Sequence, residues 1–243
     1  MLIALAAALA GCEAPVKIQP GLSGARITIQ AKPKSGYHRP VAGVSGVDPY
    51  GMSTPASVDD EVPQTGAFAL VDYDHLDDIV VWLEPQNRVT PDAVPPDITL
   101  DVATPDPAGP PLFATGVGGV LRVRNTGRRA ESVYSVSEGN EFDLGALPAG
   151  GMARSTLHRP GVVEVLLDSR NEPLARVYVA PSPWVRRARG GQSVVFADLP
   201  PGAYRAACWH PRLPGTEQNV QLRADQLTRV TLVVGVDALA RSR

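Results

Sequence analysis

Cysteine is nearly missing from this chain, which has only Cys12 and Cys208. If Cys12 is modified, Cys208 stands alone and no internal disulfide forms. A lone cysteine in a strand-like run is read as a small buried hydrophobe. Histidine is scarce as well: His38, His75, His158 and His210 are the whole set, and none is paired at metal-ligand spacing. The formal net charge is −2, so no electrostatic case exists for nucleic acid or for an anionic membrane surface. Gly-x-Ser-x-Gly, the P-loop and His-Glu-x-x-His are all absent, which leaves no familiar catalytic grammar. Gly116-Val117-Gly118-Gly119 reads as a turn and not a phosphate cradle, because no helix pattern follows it. No stretch carries a convincing helical period.

What is present begins at the N-terminus. Leu2 to Ala10 is wholly apolar and carries no charge. It is too short to span a bilayer, which takes about 20 residues, and its length suits the core of a signal peptide. It ends in Leu9-Ala10-Gly11-Cys12, which resembles the bacterial lipobox. That resemblance implies cleavage before Cys12 and acylation of its sulfur, and so a lipid-anchored protein on the periplasmic side of the cell envelope. The basic residues that usually precede such a run are missing. Glu13 directly after the cysteine fits sorting to the outer membrane. Residues 13–24 hold Pro15, Pro20, Gly21, Ser23 and Gly24 and are expected to form a flexible tether.

Over the whole chain, 24 prolines and 23 glycines make up about a fifth of the residues. That density breaks helices and punctuates short strands. Alternating or apolar runs are expected as strands over 25–31, 67–71, 78–84, 98–102, 119–125, 132–136, 161–167, 175–179, 193–196, 203–209, 220–222 and 228–234. Residues 37–62 read as a long loop and 88–96 as a Pro-rich linker. Pro200-Pro201-Gly202 reads as a turn. Many short strands with turn signals between them predict an all-β sandwich architecture.

Several segments resemble cupredoxin-like proteins of the methylamine-utilization or plastocyanin-like kind, joined to a segment similar to the carboxypeptidase regulatory-like domain. The residues that carry this are Val80-Val81-Trp82-Leu83-Glu84-Pro85, Val123-Arg124-Asn125, Ser132-Val133-Tyr134-Ser135-Val136-Ser137 and Arg159-Pro160-Gly161-Val162-Val163. Near the C-terminus Asp198-Leu199-Pro200-Pro201-Gly202-Ala203-Tyr204 and the signature Trp209-His210-Pro211 add to it. The resemblance implies a cupredoxin-like β-sandwich over 25–180 with a long early loop. It implies a small transthyretin-like or carboxypeptidase-regulatory-like β segment over 181–236, and a tail over 237–243.

The departures from that pattern bear on function. A blue-copper site takes two imidazoles, a thiolate and usually a weak thioether. The places where the family carries its ligands hold Glu131 and Ser132, Leu167, Arg170 and Pro173. Leucine has no donor atom, and arginine does not deprotonate to bind a metal. The resemblance therefore implies a cupredoxin-like scaffold without copper and without any other cofactor.

Other features have bland readings. The acidic run Asp72-Tyr73-Asp74-His75-Leu76-Asp77-Asp78 lacks the spacing of a calcium loop and is expected to be a solvated loop. Trp184-Val185-Arg186-Arg187-Ala188-Arg189 is a basic patch, expected to cap a hairpin. His210 is expected to be structural. The leading function is a non-catalytic lipoprotein that binds an envelope protein, a glycan or a small ligand. A metal-binding or electron-transfer cupredoxin with other ligands, and an enzyme with an unfamiliar site, are the competing classes.

Overall fold

The computed structural model describes residues 16–33, 71, 73, 75–87, 93–102 and 109–235. These form fifteen strands, and no helix occurs among the described residues. In chain order they are β1 (Ser23–Ala31), β2 (Ile79–Pro85), β3 (Ile98–Asp101), β4 (Leu112–Gly116) and β5 (Val120–Arg124). Next come β6 (Glu131–Ser135), β7 (Phe142–Leu147), β8 (Met152–Thr156), β9 (Gly161–Leu167) and β10 (Ala175–Ala180). The last are β11 (Val185–Ala188), β12 (Ser193–Leu199), β13 (Gly202–Trp209), β14 (Glu217–Leu222) and β15 (Leu227–Val234). The all-β class read from the sequence is the class of the structure.

The strands form four sheets, in the orders β12-β1-β15, β11-β2-β13-β14, β4-β10-β9-β6-β7 and β3-β5-β8. The first two close over one core, built from residues such as Ile27, Ile29, Val81, Leu83, Tyr204 and Leu232. The other two close over a second core, which includes Leu121, Val133, Leu157, Val163, Leu167 and Val177. The described residues thus form two β-sandwiches. The one made by β3–β10 is inserted between β2 and β11 of the other.

This arrangement corrects the expected division of the chain. The passage from one unit to the next does fall after Ala180. But β1 and β2 do not belong with the strands that follow them. β1 lies between β12, antiparallel, and β15, parallel, in register from Gly24↔Leu227 to Ala31↔Val234. β2 lies between β11 and β13. Residues 181–236 are therefore not a small appended segment, since β11–β15 supply five of the seven strands of the outer sandwich. The physical reason is that alternation reports which side chains share a face. It does not report which strand satisfies the backbone on either side, and that pairing is the larger requirement.

β2 is buried on both faces, which explains its unbroken apolar run. Ile79, Val81 and Leu83 enter the outer core. Val80 and Trp82 point the other way, into a third cluster with Leu112, Ala180, Val185 and Ala207. Ala114, Tyr178 and Trp209 pack against it. This cluster joins the two sandwiches. Tyr178 of β10 stacks on Trp209 of β13, with ring centroids 4.5 Å apart, and tilts against Trp82 at 5.5 Å. The Ser182 hydroxyl reinforces the crossing by donating to the Leu83 carbonyl at 2.5 Å.

The tether also differs from expectation. Ser23 and Gly24 open β1. Ahead of them, Gln19-Pro20-Gly21-Leu22 folds into a turn closed by the Leu22 N–H on the Gln19 carbonyl at 3.0 Å. Proline at the first corner and glycine with φ 82° at the second fit a type II turn. The residues proposed as loop over 37–62, the tail over 237–243, His38 and the segment 1–12 with Cys12 lie outside the described residues. So do residues 67–70 of one expected strand; Val71 is described and is not in a strand.

Candidate functional site

The four places that would carry copper ligands gather near one end of the inserted sandwich. Leu167 closes β9 and pairs with Val133 of β6. Its side chain is 1% exposed and belongs to the inserted core. Glu131 opens β6, and its carboxylate accepts a 2.6 Å hydrogen bond from the Ser169 hydroxyl. Arg170 donates to the Val102 carbonyl at 3.2 Å. It lines an open groove of about 580 Å³ together with Pro173, Gly109, Pro110, Asn171, Glu172 and Leu174. The four places thus hold a buried leucine, a carboxylate bonded to a hydroxyl, a guanidinium on a backbone carbonyl and a proline. That set of side chains does not fit copper. Among the described residues, no group of three or more His, Cys, Asp or Glu side chains converges on a point.

Cys208 cannot be drawn into this corner. It sits on β13 in the core of the outer sandwich. The Thr216 N–H donates to its sulfur at 3.4 Å, and burial pushes the thiol pKa up. A protonated, buried thiol is a weak nucleophile and a weak ligand.

The Trp209-His210-Pro211 signature divides its work. Trp209 stacks on Tyr178 across the junction. His210 is buried, and its Nδ1 accepts from the backbone N–H groups of Arg212 and Leu213, each at 3.1 Å. It shapes the turn that leads to β14. Burial is the main cause that lowers its pKa, while the Asp78 carboxylate opposes the shift and Arg212 adds to it. Pro211 is an exposed member of the same turn. The phenol of Tyr178 is pushed up to about 12, first by burial and then by the neighbouring Cys208. Burial does the same to Tyr204, whose hydroxyl donates to the Pro200 carbonyl at 2.9 Å.

The acidic and basic runs answer one another. Asp78 pairs with Arg187 at 3.0 Å and Asp77 with Arg189 at 2.9 Å. Both pairs follow from β11 lying beside β2, antiparallel, with Ala188 opposite Ile79. The run read as a basic patch is an edge strand. Asp72 and Asp74 lie outside the described residues. His158 is exposed, and its backbone N–H donates to Asn140 Oδ1 at 2.7 Å.

One surface feature had no sequence signal. The pairing of β6 with β7 slips between Ser132 and Tyr134, and beside that bulge lies an open groove of about 600 Å³. Tyr134, Val136, Phe142, Asp143 and Asp168 are among its lining residues. A bulge cannot be read from one strand, because it is a property of two.

No protein-family model and no curated protein sequence matches the chain. Solved structures of amicyanin, a cupredoxin, are similar to it in part. A Cu(I) form of a methionine-to-glutamine variant is 18% identical, covers 34% of this chain and 81% of its own, and has a TM-score of 0.28. An oxidised methionine-to-lysine variant is 17% identical, covers 42% of this chain and 99% of its own, and also has a TM-score of 0.28. The likeness is weak and partial.

Proposed function

We propose that this protein is a non-catalytic β-sandwich lipoprotein of the bacterial cell envelope, serving as a binding or structural module. Its inserted sandwich is read as a cupredoxin-like scaffold whose copper site has degenerated. The observation that carries this reading is the set of side chains at that corner. Leu167 is in the core, Glu131 is bonded to Ser169 and Arg170 is bonded to a carbonyl. The outer sandwich, with Trp209, His210 and Pro211, is read as the carboxypeptidase regulatory-like partner. The lipobox-like Leu9-Ala10-Gly11-Cys12 supports attachment through Cys12 on the periplasmic side, at the outer membrane. The partner is an envelope protein, a glycan or a small ligand, and not a nucleic acid.

Two measurements test this. Cells fed labelled palmitate should label the protein, and the Cys12→Ser variant should not be labelled. Purified protein offered Cu(II) should retain no stoichiometric metal after gel filtration. Stoichiometric copper with a thiolate charge-transfer band would replace this reading with that of an electron-transfer protein using other ligands.

A further inference from the structure

Residues Ile18–Leu22 precede β1 and belong to no sheet, yet the outer sandwich holds them at several points. The Gln19 backbone N–H donates to Asp198 Oδ1 at 2.8 Å, and its side-chain amide donates to Asp198 Oδ2 at 3.3 Å. The Gly21 N–H donates to Asp225 Oδ1 at 2.8 Å. The Asp225 N–H in turn donates to the Leu22 carbonyl at 2.6 Å. Ile18 sits in a notch. A Cβ built on Gly24 would come within 3.0 Å of Ile18 Cδ1 and 3.1 Å of Leu227 Cδ1, so the bare glycine leaves room for the isoleucine.

Both aspartates pay a conformational cost to be there. Asp198 has φ 57° and Asp225 has φ 59°, in the left-handed region that side chains with a Cβ disfavour. Glycine would adopt either backbone without strain. What aspartate adds is a carboxylate, and both carboxylates are directed at the same short segment. They come from two separate places, Asp198 from the bulged end of β12 and Asp225 from the turn between β14 and β15. A single fortuitous contact would not recruit both.

We infer that Ile18–Leu22 is a strap latched by Asp198 and Asp225, and that the latch sets how far the two sandwiches stand from the point of N-terminal attachment. The stand-off rests on the proposed anchor at Cys12; the latch does not. With the strap latched, the chain from Cys12 to Ile18 reaches at most roughly 20 Å. With it released, the free chain runs to Ser23 and reaches roughly 37 Å. In either state the chain enters at the end of the outer sandwich where β1 begins, beside Leu199 and Leu227. The opposite end is then left for a partner.

Amide hydrogen exchange on the full chain in detergent micelles tests the latch. In Asp198→Gly/Asp225→Gly both positions keep their left-handed backbone but lose the carboxylates. Exchange at Gln19 and Gly21 should speed up at least tenfold, while Ile27 and Ile29 in β1 stay as slow as in the wild type. Ile18→Ser leaves both aspartates intact and should speed the same two amides. Unchanged exchange at Gln19 and Gly21 in both variants overturns the latch. So does wild-type exchange at the rate of an unstructured chain.

The stand-off is read separately, as the distance distribution between a bilayer-surface dye and a label on Thr126 in nanodiscs. It should widen in the glycine variant, and an unchanged distribution overturns the stand-off. Failure of palmitate to label the wild type removes the anchor and with it the stand-off, while the exchange result still decides the latch.

Discussion

The phenol of Tyr178 lies stacked on the indole of Trp209, with the ring planes 25° apart, and this pair spans the boundary between two separately built cores. The Trp82 indole N–H is buried at the same junction and has no hydrogen-bond partner among the described residues. The side chains at the junction contribute ring packing and apolar contact, beside the hydrogen bond from Ser182 to the Leu83 carbonyl. An aromatic pair of this kind adds about 0.5–1.5 kcal/mol beyond the area it buries.

Tyr178→Ala should lower stability by about 2–3 kcal/mol, less than a fully buried aromatic truncation because the ring is half-buried. It should also uncouple the sandwiches. Differential scanning calorimetry is expected to show two transitions in place of one. A single transition with unchanged midpoint would mean that the crossing segment, and not the rings, couples the units.

His210 makes the protein sensitive to mild acid. Burial holds its folded-state pKa below the ordinary 6.5, against the opposing charge of Asp78. The unfolded chain therefore takes up this proton at a higher pH than the folded one does. The stabilising effect is fully present above about 6.5 and is lost as pH falls through 6.5 toward the lowered folded value. Urea midpoints measured at steps from pH 8 to pH 5 should fall over the acid half of that range. In His210→Gln the acid-side slope should shrink.

Leu167 offers a test of the degenerate site. Leu167→Ala removes a side chain at 1% exposure and should cost about 2–5 kcal/mol by chemical denaturation. Leu167→Cys places a thiol where the resemblance puts the copper thiolate. It should still give no intense charge-transfer band with Cu(II), because Arg170 and Pro173 supply no nitrogen or thioether ligand. A strong band in that variant would show that donors outside the expected places complete the site.

Gly116 ends β4 where the chain returns between the sandwiches. An added Cβ there would run into the Ser182 carbonyl and come within 2.8 Å of Pro183 Cα. These are backbone atoms that cannot swing aside. Gly116→Ala should destabilise by about 1–3 kcal/mol, whereas Gly145→Ala meets no atom within 4 Å and is penalised only by its φ of 66°. Comparing their thermal midpoints separates crowding from backbone strain.

The strands that the sequence did not reveal share one property. β4 and β7 are the edges of the five-stranded sheet, β8 is an edge of the three-stranded sheet with β3 and β5, and β11 is an edge of the four-stranded one. An edge strand pairs on one side only and tolerates charge, glycine and short side chains. Met152-Ala153-Arg154-Ser155-Thr156 and Val185-Arg186-Arg187-Ala188 accordingly carry little apolar signal. Central strands such as Ile79–Pro85 and Gly161–Leu167 were plain, because their side chains must satisfy a core. Strand partners are not legible in a single strand, and so the sequence pattern groups β1 and β2 with the strands that follow them, whereas they pair with β11, β12, β13 and β15. At the candidate site the lack of donors could be read from Leu167, Arg170 and Pro173 alone. The bond between Ser169 and Glu131 could not, since it depends on how β6 and the turn after β9 meet.

The insertion also fixes an order of events in time. In a chain that emerges N-terminus first, every strand of the inserted sandwich is out once Ala180 has appeared, and its pairings stay within residues 98–180. β1 must wait for β12 and for β15, whose register ends at Val234. Contacts of such long separation form slowly and leave unpaired strands exposed meanwhile. The first strand among the described residues is therefore among the last to be buried, and the yield of folded protein depends on Ile27 and Ile29 being kept from aggregating until the far end arrives.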